Sequence, residues 1–201
     1  MTGPDPAIAS YVHRYLGETE GALRDGFLAE GISRAIPVLL KARDEGHTLF
    51  FFGNGGSAST ASHMAQDIAK LTITEGGKRF RTDSLADHMS VILAWANDSN
   101  FSEIYAEQVK SRGQAGDVAI GISGSGNSPN VLRALEEAHK LGMTTVGFIG
   151  RGGGKMKALC DVSIVVPSDN MQHIEDLHHI MLHLVASYLR DEAPAPPYRP
   201  R

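Results

Sequence analysis

His63 and Asp67 stand four residues apart in "SASTASHMAQD", and Glu175, His179 and His183 follow one another at the same interval in "HIEDLHHIMLH". Four-residue spacing puts side chains on one face of a helix, one turn above the next. Two such faces brought together would offer imidazoles and carboxylates at one place. That donor set suits a divalent ion such as zinc with a position left open for substrate. It equally suits a general base paired with a general acid. Solvated histidines on a surface helix would show the same spacing, so the spacing alone leaves these readings open. Asp176 and His178 fall one step off that face and are expected to point elsewhere. Cys160 is the sole cysteine, which excludes an intrachain disulfide and any multi-cysteine metal site. Beside Leu159 it reads as a small buried residue rather than a nucleophile.

A second kind of chemistry is written in two glycine–serine turns. "GNGGSAS" follows the apolar run "TLFFF", and "ISGSGNSPNV" follows "DVAIG". Glycines let the backbone approach a ligand, helix N-termini present unpaired N–H groups, and serine hydroxyls add short donors, which together cradle an anion. Neither turn is G-x-G-x-x-G, and neither continues into Lys-Ser/Thr, so a nucleotide P-loop is excluded. Ser128 before Pro129 is also what an ordinary helix N-cap looks like. Three serines in six positions, Ser123, Ser125 and Ser128, suit phosphate oxygens better than a cap alone.

These residues need elements to hold them. Apolar periodicity predicts two helices between Pro6 and Glu45, with Pro37 inside the second, where proline kinks or weakens a helix. After Gly46 the pattern alternates between strand and helix. "TLFFFG", "RFRTDSL", "DVAIGIS", "TTVGFIG" and "DVSIVVP" read as strands, the second the weakest. Helices are expected at 57–70, in "DHMSVILAWAN", over the whole of "FSEIYAEQVKSR", in "SPNVLRALEEAHKLG" and at 171–190. Apolar strands separated by helices predict an α/β fold, a doubly wound three-layer sandwich around a five-stranded parallel sheet. "DEAPAPPYRP" reads as a proline-rich tail over 191–201.

The 201 residues fit one domain with an appended helical element. A net charge of −4 provides no broad basic field, so neither nucleic acid nor an anionic membrane is an expected partner. No apolar run reaches the roughly 18 residues that a transmembrane helix needs. "MTGPDPAIAS" lacks a secretion signal, and the expected location is cytoplasmic.

"GNGGSASTASHMAQD", "WANDSNFSEIYAEQV", "GDVAIGISGSGNSPNVLRAL" and "GGGKMKALCDVSIVVPSDNMQHIEDLHHIMLH" occur in the order in which the phosphoheptose isomerases carry their motifs. Over residues 5–190 the chain resembles that family, which has the sugar-isomerase (SIS) fold. The resemblance implies conversion of sedoheptulose 7-phosphate to D-glycero-D-manno-heptose 7-phosphate by a homotetramer with active sites at subunit contacts. It implies an N-terminal helical segment (1–45) for oligomer packing and a SIS domain over 46–190. Asn54, Gly55, Gly56 and Ser57 fall on the family's first substrate loop, Asn97 and Asp98 on its sugar-contacting pair, and Ser123, Gly124, Ser125 and Ser128 on its phosphate loop. His63 falls on a metal histidine and Asp67 on a glutamate that is base and ligand. Glu175 falls on a glutamine ligand that also touches substrate, and His183 on the histidine that is acid and ligand. His179 matches no functional position. Three residues depart from the pattern: Asp67 is one methylene shorter, Glu175 adds a charge, and Gly124 replaces a threonine. The implied reaction runs through an enediol(ate), with Asp67, or Glu175 in its place, as base and His183 as acid around a zinc-like ion. Two other readings remain, an isomerase of another ketose phosphate and a non-catalytic SIS scaffold that binds the replication initiator.

Overall fold

The computed structural model describes residue 3 and residues 5–191; the predicted tail beyond Asp191 lies outside them. Eight helices are present there: α1 (Pro6–Leu23), α2 (Phe27–Glu45), α3 (Gly56–Leu71), α4 (Met89–Asp98), α5 (Ala106–Arg112), α6 (Pro129–Lys140), α7 (Met156–Leu159) and α8 (Met171–Asp191). Five strands, β1 (Thr48–Gly53), β2 (Arg81–Ser84), β3 (Val118–Ser123), β4 (Thr144–Ile149) and β5 (Val162–Val165), form one sheet in the order β2-β1-β3-β4-β5, with every pairing parallel.

The architecture follows from β1. Successive strand side chains point to opposite faces. Leu49 and Phe51 enter a core shared with residues of α2, α3 and α8, whereas Phe50 and Phe52 enter one shared with α5, α6 and α7. A strand apolar on both faces must be covered on both, which a parallel sheet with crossover helices achieves. Gly121 and Gly147 lie opposite each other in register on β3 and β4. A Cβ on either would come within 2.9–3.1 Å of Met156 Cε, so the paired glycines form the notch that the α7 methionine fills. Burial pushes the Cys160 thiol up to about 12, which suits a packing residue and not a nucleophile.

The chain steps outward from β1 to β2, then resumes on the other side of β1 with β3. The helices after β1 and β3 therefore pack on opposite faces, and a crevice opens between their leading loops at the carboxyl ends of the strands. Both glycine–serine turns border it.

Two elements differ from expectation. "FSEIYAEQVKSR" is a short 3₁₀ turn at Phe101–Glu103 followed by α5, rather than one helix. Asn100 accepts a hydrogen bond from Ser102 N at 2.9 Å, and Tyr105 donates its hydroxyl to the Gly53 carbonyl, so local capping and a long-range bond override the helical period. The four-residue α7 is too short to leave a period in the sequence. α2 runs through Pro37 as one helix.

His178 is buried against Phe148, and neither ring nitrogen makes a well-formed hydrogen bond. Burial pushes the imidazole down to about 4, against a weaker opposing pull from the Ile149 backbone. Between pH 6.5 and 4 the unfolded chain therefore binds the extra proton, and acidification destabilises the fold through this residue by at most about 3 kcal/mol. His178→Leu should flatten the pH dependence of denaturant unfolding in that window; an unchanged slope would show that His178 does not drive it. At the carboxyl end of β1, a Cβ on Gly53 would stand 2.7 Å from the Ile122 carbonyl oxygen and 2.9 Å from that of Ser57. Backbone cannot swing aside, so Gly53→Ala should lose roughly 1–3 kcal/mol in the same unfolding assay.

Candidate active site

The two loops build one pocket of about 280 Å³, lined by Asn54, Gly55, Gly56 and Ser57 from the first loop and by Ser123, Gly124, Ser125 and Ser128 from the second. Ser128 begins α6 with extended backbone, yet its side chain caps nothing. Its hydroxyl lies 3.2 Å from Ser123 Oγ, which in turn lies 3.4 Å from Ser125 Oγ. Three hydroxyls thus converge where a simple N-cap would have turned one away. The start of α3 also lacks a side-chain cap, so two helix N-termini border the pocket with their positive ends.

Asn54 and Asn130 hold the loops in register. Each amide donates to the other's oxygen, at 2.9 and 2.7 Å, and Asn130 is buried. Neither Asn130 nor Met171, a further lining residue, was legible as a site residue in the sequence; both are revealed by contacts across the fold. Met171 also accounts for Gly124. A Cβ there would stand 2.3 Å from Met171 Sδ, so the methionine occupies the space of a loop side chain.

Farther along the same two helices, α3 and α8 bring His63, Asp67 and His183 together. One donor atom from each lies within 4.8 Å of the others. Asp67 Oδ2 is 3.4 Å from His63 Nε2 and 4.0 Å from His183 Nε2. The side chain of Asp67 is 10% exposed, and its ion-pair partners among the described residues are these two histidines alone. A nearly buried carboxylate facing two imidazole nitrogens, with no lysine or arginine against it, has the donor chemistry of a zinc-type site and the spacing to close on one ion.

Glu175 stands apart from this group. It was expected among the metal ligands, but it lines the loop pocket instead, where a Cβ on Gly56 would lie 2.7 Å from both of its carboxylate oxygens. Eight residues of helix, about 12 Å, separate it from His183. Asn97 and Asp98 close α4, exposed and bonded to each other at 2.8 Å, and do not line the pocket of this chain. Asp176 leaves the site as expected, accepting the Tyr15 hydroxyl of α1 at 2.5 Å.

Comparison with known proteins agrees with this geometry. The family model for the SIS domain matches residues 15–150. A phosphoheptose isomerase of Helicobacter pylori (strain P12) is 40% identical over 158 residues, 79% of this chain and 82% of that protein. One from Clostridium acetobutylicum is 34% identical over 92% of this chain and 94% of its own length. The solved structure of a phosphoheptose isomerase from Neisseria gonorrhoeae superposes with a TM-score of 0.85 at 29% identity, covering 92% of this chain and all of that one. Fold, paired loops and sequence likeness together make the chain a member of the phosphoheptose isomerases, within the SIS-domain family.

Proposed function

We propose that the chain isomerises sedoheptulose 7-phosphate to D-glycero-D-manno-heptose 7-phosphate through an enediol(ate), at the site built by the two glycine–serine loops with α3 and α8. The observation that carries this reading is that α3 and α8 supply both the hydroxyl-lined pocket, at their starts, and the His63–Asp67–His183 group, farther along. Ser57 precedes Asp67 by ten residues, about 15 Å of helix.

The phosphate docks on Ser57, Ser123, Ser125 and Ser128 and on the starts of α3 and α6. Binding energy from this unreactive end fixes C1 and C2 against the acid–base groups. Asp67 takes a proton from C1, beside the carbonyl, while His183 donates one to the C2 oxygen; Asp67 then returns its proton to C2 as His183 recovers one from the C1 hydroxyl, which becomes the aldehyde. Glu175 is the sole charged residue lining the pocket. As an anion it suits sugar hydroxyls better than phosphate, and it is the second candidate base. A zinc-like ion, with His63, Asp67 and His183 as its holders, would supply Lewis-acid stabilisation of the developing negative charge.

The reading extends to a homotetramer in the cytoplasm. α1 and α4 bury no residue within the chain, and Ile8, Tyr11, Leu16, Met89, Leu93 and Trp95 are exposed on them. A groove of about 750 Å³ between α2 and α8 is lined mainly by apolar side chains, Leu28, Ile32 and Tyr188 among them. These surfaces suit helices of further copies, and such packing would carry Asn97 and Asp98 to a neighbour's sugar. Among the described residues no helix is long and apolar enough to cross a membrane.

Asp67→Asn and His183→Ala should each lower kcat/KM for sedoheptulose 7-phosphate by at least about 100-fold with the fold intact. Near wild-type turnover in both would overturn the acid–base assignment. Gly56→Ala should displace the Glu175 carboxylate, the flexible end of a side chain, at a stability cost below about 1 kcal/mol. Steady-state kinetics should show KM raised several-fold; unchanged kinetics would remove Glu175 from substrate contact.

A further inference from the structure

Gly124 stands in the middle of the serine loop, yet its backbone does not ask for glycine. Gly126, two residues on, takes a positive φ, and Gly124 does not, so what excludes a side chain at 124 is space. A Cβ there would lie 2.3 Å from Met171 Sδ and 3.1 Å from its Cε, with Ile174 Cγ2 at 3.6 Å. The loop cannot retreat from the methionine, because the segment after β4 is packed behind it. A Cβ on Gly150 would come within 2.7 Å of the Gly124 carbonyl oxygen, and Met156 donates its N–H to the Gly126 carbonyl at 3.0 Å. Of these neighbours the thioether is the part that can move. It lines the pocket together with Ser123, Ser125 and Ser128. Methionine adapts to irregular gaps, but its sulfur donates no hydrogen bond. An anion in this pocket therefore meets three hydroxyls and two helix starts, with a donor-free wall over Gly124.

We propose that Met171 is a specificity-determining residue of the phosphate subsite: it takes the room of a hydroxyl-bearing side chain at 124, and so sets how many hydroxyls reach the phosphate. Positions 124 and 171 then form one unit, in which either side chain is large only when the other is small. The inference rests on the phosphate reading of the serine loop above and is independent of the cation group.

Binding of inorganic phosphate to the whole chain, followed by calorimetry, tests this without reference to turnover. Gly124→Thr should weaken binding at least about tenfold, because the displaced thioether has the pocket to enter. Met171→Leu, close in volume, should stay within about threefold of wild type. Gly124→Thr/Met171→Ala should recover the loss. It should also bind at least about fivefold tighter than Gly124→Ala/Met171→Ala, which relieves the crowding without supplying a hydroxyl. A purely structural role would leave those two double variants alike, and equal affinities in them would overturn the inference. So would Gly124→Thr binding as wild type does, or Gly124→Thr/Met171→Ala binding no better than Gly124→Thr alone. If wild type shows no saturable phosphate binding, or Ser125→Ala/Ser128→Ala leaves it unchanged, the phosphate reading itself falls and this inference falls with it.

Discussion

A strand that is apolar on both faces must be buried on both, and β1 is such a strand. Leu49 and Phe51 fill one core, and Phe50 and Phe52 fill the other. Covering both faces sends α3 and α6 to opposite sides of the sheet, which opens a crevice between the loops leading into them. The pocket is thus a by-product of how the chain buries three phenylalanines. The reciprocal Asn54–Asn130 amides then bridge the crevice. Both amides are satisfied by each other, so the loops are registered without leaving a buried polar group unpaired.

The same topology distributes charge. Two helices begin at the pocket, where partial positive charge and hydroxyls suit a phosphate without lysine or arginine. The Asp67 carboxylate and the His63 and His183 imidazoles lie farther along α3 and α8, while Glu175 stands at the pocket itself. Asp67, confined between two imidazoles, is placed by α3 with little freedom. A site built on helices rather than on loop tips holds its geometry through packing.

The apolar periods, the stop signals and the two glycine–serine turns were all legible in the sequence. So was the direction of Asp176 and His178, because a helix face is fixed by 3.6 residues per turn whatever it packs against. What was not legible depended on contacts between distant segments. Asn130 became a site residue only by meeting Asn54, and Met171 only by filling the space over Gly124. The helix expected from Phe101 to Arg112 broke because Tyr105 reaches Gly53, a partner 52 residues away. Glu175 and His183 share a face, so spacing put them in one group. Their separation along the axis, and Glu175's seat against Gly56, place Glu175 at the loop pocket and His183 beside His63 and Asp67.

The sequence by itself determined the layered fold, the loops and the types of chemical group, since local periodicity, turn chemistry and burial of β1 act within short stretches of chain. Only the tertiary structure decided which groups meet. It paired His63 and Asp67 with His183, set Glu175 against the serine loop, and brought His179 beside the histidines. Those choices depend on how α8 lies against α3, which arises from packing between segments a hundred residues apart and leaves no local pattern.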